Sequence, residues 1–334
     1  MNKHISVFAI VGLLGFSSLS ERLPSVAQTP ADEEAPPAVN LPFNPSTDRA
    51  TTMPINLMQS NNPYGNDRVV VGPDDREPVQ TQAFPWSAIG RLDWIYEGQT
   101  FASCTATLIG TDLVLTNSHC LLVPNRDSQD VLVTPAIYAD MPAKLVFKPN
   151  LIAGVTDEEA TVTTFVTGWT PESEAPADDW ALMTIDQPLG AADRYGHMGW
   201  RQLNFSAAEV QRELFEAIQL VGYAGDFPTD TLREFGNPTE TAGVDPACSV
   251  LGEITTGALV DTLAHDCDTN PGASGGPIFA YFTDTDTYAI VGLHSRSIPL
   301  ERATTLPNGV STDVLNGGVL VSRWASQARS LLSQ

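Results

Sequence analysis

The chain has 334 residues and sets 17 Lys and Arg against 40 Asp and Glu, a formal net charge of −23. That balance excludes a nucleic-acid binder, which needs a basic face, and electrostatic docking on anionic lipid; it implies solubility through self-repulsion. Its four cysteines have no C-x-x-C spacing, so neither a metal nor a cofactor is expected.

In chain order, Lys3 precedes the apolar run ISVFAIVGLLGF, and small residues follow at Ser25 and Ala27. A short basic start, an apolar core and a small-x-small site describe a secretory signal over residues 1–27. The run is shorter than the ~20 residues a membrane-spanning helix needs. Residues 28–68 are rich in Pro, Asn, Ser and Thr without periodicity, the composition of a propeptide or disordered linker. The folded domain is expected over residues 69–334, opening on the triplet VVV. Short runs such as FASCTATLIG, AKLVFKP, ATVTTFVTGW and YAIVGLHS then alternate with Gly, Pro, Asp and Asn clusters. They predict an all-β fold, with enough chain for two packed barrels. Near the end, Ser322 reads as an N-cap, followed by a helix burying Trp324, Ala328 and Leu331 on one face.

Export places Cys104, Cys120, Cys248 and Cys267 in an oxidising compartment, where disulfides persist. Of three possible pairings, the reading favours the two within sequence clusters, Cys104 with Cys120 and Cys248 with Cys267.

The stretch CDTNPGASGGPIF allows two readings. Gly, Pro, Ser and Asn make ordinary turns, yet Ser274 is also placed as a nucleophile would be, on a tight turn cleared by glycines. A serine hydroxyl needs a base, and the base needs an orienting group. His119, at the strand end LVLTNSHCLL, is the candidate base; a disulfide at Cys120 would stiffen its backbone. In ADDWALMTID, Asp179 abuts Trp180, which suggests burial and a partner for the carboxylate, with Asp178 as the exposed neighbour.

TNSHC, DDWALMTID and NPGASGGPIF follow in the chain order His, Asp, Ser, and together they resemble the chymotrypsin-like serine peptidases. CTATLIGTDLVLTNSHC and NGGVLVSRW extend the resemblance over roughly residues 69–332. It implies two six-stranded antiparallel barrels with a C-terminal helix and an active site between the barrels. It also implies His119 as general base, Asp179 as orienting acid, Ser274 as nucleophile, and the N–H groups of Gly272 and Ser274 as oxyanion hole. Polypeptides are the implied substrates of an enzyme acting as a monomer outside the cytoplasm, secreted or periplasmic.

Ala273 stands where many animal members carry an aspartate that pairs with the freed N-terminus. This departure, and the stretch VVVGPDDREPVQTQAFPWSAIG, resemble the bacterial glutamyl endopeptidases. Cleavage after Arg68, or within the next two residues, is therefore expected. In that subfamily's pattern, Thr269 and His294 correspond to the pocket that holds a substrate carboxylate, with His294 acting as an imidazolium. Asp268 matches instead the pocket-floor acid of trypsins that cut after Arg or Lys, so basic specificity is the alternative. A further alternative is a catalytically silent β-barrel binding protein. His4 lies in the signal, while His197 and His265 read as surface or packing residues. TDTDT (283–287) reads as a hairpin tip rather than a calcium loop.

Overall fold

The computed structural model describes residues 70–123, 130–205 and 207–334. The signal, the pro-region and the expected cleavage point after Arg68 lie outside the described residues.

Six strands close into a barrel: β1 (Ile89–Tyr96), β2 (Gln99–Leu108), β3 (Leu113–Thr116), β4 (Lys144–Pro149), β5 (Ala160–Thr167) and β6 (Ala181–Ile185). Around it the order is β1-β2-β3-β6-β5-β4. The β1–β2 hairpin turns on Glu97 and Gly98, at φ 50° and 76°. Two positive φ values give the turn the twist that flanking strands require. Leu92, Trp94, Leu108, Leu115, Leu145, Phe147, Phe165 and Leu182 fill the interior. The Trp94 indole donates to the Cys120 carbonyl at 2.8 Å, fixing the chain beside His119 to the barrel core.

Seven later strands build a second sheet: β7 (Ile218–Gly222), β8 (Gly243–Cys248), β9 (Val250–Ile254), β10 (Thr262–His265), β11 (Pro277–Phe282), β12 (Thr287–Thr305) and β13 (Ser311–Leu320). With two short strands, Glu77–Pro78 and Gly199–Trp200, they form one nine-stranded sheet. Its path runs from Glu77–Pro78 through β8-β7-β11-β12-β13-β10 to β9, while Gly199–Trp200 joins β12. Among the described residues, only the first of the two expected barrels is thus closed by its own ladder. Pro78, in the terminal strand, has no N–H with which to continue pairing. Ile218, Leu220, Val250, Leu263, Ile278 and Val291 form this half's buried cluster.

The chain ends in a helix, Val321–Leu332, that follows β13 without a loop. Leu320 occupies the N-cap position and makes no side-chain cap. Ser322 is therefore not the cap, because the helix starts straight from the strand, two residues too early for it. The expected face is present: Trp324 and Ala328 are fully buried and Leu331 packs against the core. Both expected disulfides, Cys104–Cys120 and Cys248–Cys267, are formed.

Candidate active site

His119 sits in a single 3-10 turn, Ser118–Leu121, directly after β3. Neighbouring side chains lace this turn to the loop before β6. Asn117 Nδ2 donates to the Asp179 carbonyl at 2.7 Å, and Ser118 Oγ to the Trp180 carbonyl at 2.7 Å. Asp179 then meets His119 twice: Oδ1 accepts its backbone N–H at 2.9 Å, and Oδ2 lies 2.7 Å from Nδ1. An ionised carboxylate only accepts, so Nδ1 carries the proton and Nε2 is left with a free lone pair. Burial alone would raise the pKa of fully buried Asp179. The His119 ring, Arg296 and the Ser295 hydroxyl outweigh it and hold the carboxyl at about 2. Asp178 turns instead to the C-terminal helix, where Arg323 Nε donates to it at 3.0 Å.

The Ser274 turn is tied to the same framework through β2. Thr105 N donates to the Ser274 carbonyl at 2.8 Å, and Thr105 Oγ1 to the Gly272 carbonyl at 2.8 Å. Thr105 follows Cys104, whose disulfide reaches Cys120 beside His119. Nucleophile and base candidates therefore hang from adjacent residues of one cross-linked hairpin. Ser274 Oγ makes no hydrogen bond to the His119 ring among the described residues. Such bonds commonly tighten only when substrate binds.

Within the turn, Ala273 N donates to Asn270 O, Gly275 N to His294 O and Gly276 N to Ala273 O. The N–H groups of Gly272 and Ser274 donate to nothing among the described residues. Two unused donors in one tight turn make an anion-binding concavity. Gly272 lies at φ +103°, and a Cβ there would come within 2.5 Å of the Tyr223 carbonyl. Backbone packing thus demands this glycine, in addition to room for a substrate carbonyl. Gly275 is fixed likewise, since its Cβ would lie 2.2 Å from the Thr105 carbonyl.

Thr269 and His294 come together as the resemblance implied, with Thr269 Oγ1 3.1 Å from His294 Nε2. Burial, with His119 and Arg296 nearby, pushes His294 down to about 3, so the ring is neutral at neutral pH. The expected imidazolium is thus not the resting form of the unliganded site. His265 takes the packing role of its two expected ones: it is fully buried, with Nε2 3.2 Å from His294 Nδ1, and burial and His294 push it well below the ordinary histidine range. His197 is a packing residue, bonded to the Gly190 carbonyl at 2.8 Å.

Asp268 is spent elsewhere. Its carboxylate accepts from Val71 N at 2.7 Å and Asp75 N at 3.0 Å, and its own N–H donates to Asp245. Burial pushes it up to about 7. It anchors the start of the folded chain rather than facing Thr269 and His294 as a pocket floor. In the 283–287 hairpin tip, Asp284 pairs with Arg201 at 3.0 Å and Asp286 accepts from the Tyr281 hydroxyl.

Ser295 and Arg296 were not singled out in the sequence, yet both reach Asp179 Oδ2, at 2.6 and 3.2 Å. The available signal was a polar triplet, HSR, ending an apolar strand run in a fold whose strands are otherwise Val- and Ile-rich.

Against known proteins, the profile of the family described as "Trypsin-like peptidase domain" matches residues 104–284. No curated protein matches the chain. Among solved structures, a Glu endopeptidase in complex with MPD is 21% identical. The match covers 80% of this chain and 100% of that one, with a TM-score of 0.53, which shows a shared fold. The protease Anisep from Arthrobacter nicotinovorans is 16% identical over 73% of this chain and 97% of that one, with a TM-score of 0.46.

Proposed function

This chain belongs to the trypsin-like peptidase family and is a serine endopeptidase, and we propose that it cuts polypeptides after glutamate (or aspartate) using His119, Asp179 and Ser274. Ser274 Oγ attacks the scissile carbonyl carbon while its proton passes to His119 Nε2. The carbonyl oxygen becomes an oxyanion facing the free N–H groups of Gly272 and Ser274. Collapse breaks the C–N bond, and His119 returns the proton to the leaving amine. Water then repeats the sequence on the acyl-enzyme, releasing the acid and restoring Ser274. The direct His119–Asp179 bond supports these assignments.

For specificity, the observation that carries the reading is the Thr269–His294 pair, taken with the commitment of Asp268 to Val71 and Asp75. His294 Nε2 and the Thr269 hydroxyl, 3.1 Å apart, would exchange their mutual bond for bonds to a substrate carboxylate placed beside them. A carboxylate next to a neutral imidazole favours its protonated form, so binding takes up a proton. Glutamate preference should therefore grow as pH falls from 8 to 6. The Asp268 bonds weigh against cleavage after Arg or Lys, and the unused donors of the turn weigh against a silent scaffold.

We read the nine-stranded sheet as the counterpart of the second barrel. The enzyme is exported to the periplasm or medium behind a signal over residues 1–27. It is freed of residues 28–68 by cleavage near Arg68, and it works as a monomer without cofactor. Two disulfides suit an oxidising compartment. The test is a fluorophosphonate label read by peptide mapping, with peptides carrying Glu, Asp, Ala or Arg before the scissile bond and Ser274→Ala as blank. Labelling on Ser274 and cutting after Glu are expected. A stable adduct elsewhere would remove the triad assignment, and preferential cutting after Arg would return the pocket to Asp268.

A further inference from the structure

Asp179 Oδ2 is crowded. It faces His119 Nδ1 at 2.7 Å, Ser295 Oγ at 2.6 Å and Arg296 Nη2 at 3.2 Å. Arg296 Nε also donates to Ser295 Oγ at 3.2 Å, so the guanidinium is held at two points. Asp179 is fully buried, while the Arg296 side chain remains 27% exposed.

Strand register explains how the guanidinium gets there. His294 pairs with Gly318 and Arg296 with Gly317, so Ser295 is the extra residue of a β-bulge. In a regular strand His294 and Arg296 would point to one face and Ser295 to the other. A bulge breaks that alternation and re-aims side chains. Here Ser295 and Arg296 both reach Asp179, while His294 turns to Thr269 and His265. Gly317 makes the space: a Cβ there would lie 3.3 Å from Arg296 Cγ and 2.8 Å from Ile298 Cδ1.

We propose that Arg296 is a positioning residue that shares the Asp179 carboxylate with His119 and thereby sets the pH at which the triad becomes active. This rests on the triad reading above. The orienting carboxylate favours an imidazolium on His119; a cation on the same oxygen cancels part of that negative charge. Asp179 stays ionised. Among the described residues, the charged and titratable groups facing His119 are Asp179 from the loop before β6 and His294 and Arg296 from β12. Asp178 is engaged by Arg323 of the C-terminal helix. On its remaining sides are the Cys104–Cys120 disulfide and the Trp169 ring, 6.4 Å away.

The experiment is the pH dependence of Ser274 inactivation by a small neutral fluorophosphonate, which keeps the Thr269–His294 pair out of the measurement. Arg296→Gln should move the acid limb upward by about half to one pH unit. That is below the 1–3 units typical of a charge 4–6 Å away, because this one is partly exposed. Arg296→Lys, which keeps the cation, should leave the limb near that of the wild type. A merely structural role would lower the plateau rate without moving the limb. Proton NMR of the His119 ring in Ser274→Ala, with and without Arg296→Gln, should show the same upward displacement without needing catalysis. An unmoved limb, or Lys and Gln variants that move equally, would overturn the proposal. A wild-type protein that the reagent does not inactivate would overturn the triad reading itself.

Discussion

The barrel and the nine-stranded sheet bury carboxylates in opposite ways. In the barrel, fully buried Asp93 is clamped by Arg91 at 2.7 Å and Lys148 at 2.9 Å; burial would raise its pKa, but these two cations hold it low. In the sheet half, Asp266 and Asp268 are bonded to backbone N–H groups of Ser249, Val71 and Asp75. With no cation bonded to either among the described residues, burial pushes them up to about 6 and about 7. A cation-paired carboxylate is fixed across the working pH range, whereas one held by backbone titrates within it. The half that carries Thr269 and His294 is thus the pH-sensitive half. Asp179, where the halves meet, takes a cation from the sheet side.

The largest expected effect comes from that meeting point. Asp179→Asn removes the acceptor that fixes the His119 tautomer, and kcat should fall by about 10⁴ in steady-state assays while the melting transition persists. Next is the barrel's clamp. Asp93→Asn leaves Arg91 and Lys148 facing a neutral group, and urea unfolding should show a loss near the lower end of the roughly 3–5 kcal/mol for a broken buried pair. That loss should be constant from pH 5 to 8.

Asp268→Asn should behave differently. Its carboxyl binds a proton more tightly folded than unfolded, so its contribution is fully present below the unfolded value and is lost as pH rises through about 7. Relative to Asp268→Asn, the wild type should therefore lose stability between pH 4 and 7, by on the order of 2–4 kcal/mol. Parallel pH profiles of the two proteins would erase the contrast between the halves. Smallest of all is Ser322→Ala. A serine that capped the helix would cost about 1 kcal/mol on removal, but this one makes no cap, and thermal melts should agree within about 0.5 kcal/mol.

Where local chemistry decides the outcome, the sequence was readable. Alternating β-rich runs announced the strands, cysteine clusters matched the disulfides, and Asp179 beside Trp180 was the buried acid. Side chains brought together by register were not. His265 reaches His294 because β10 and β12 both pair with β13, and Arg296 reaches Asp179 because of a bulge that no local pattern announces. Asp268 lies beside Thr269 in sequence, yet its partners, Val71 and Asp75, are some 190 positions away.

The central claim is that Thr269 and His294 select a carboxylate, and the direct measurement is kcat/KM for two peptides differing only as Glu or Gln before the scissile bond. The two side chains match in shape and differ in charge. The account predicts a Glu preference of about 10–100-fold, the worth of a charge-assisted hydrogen bond, that widens from pH 8 to pH 6 and is lost in His294→Gln. Equal cleavage of both peptides, or a preference untouched by His294→Gln, would contradict it.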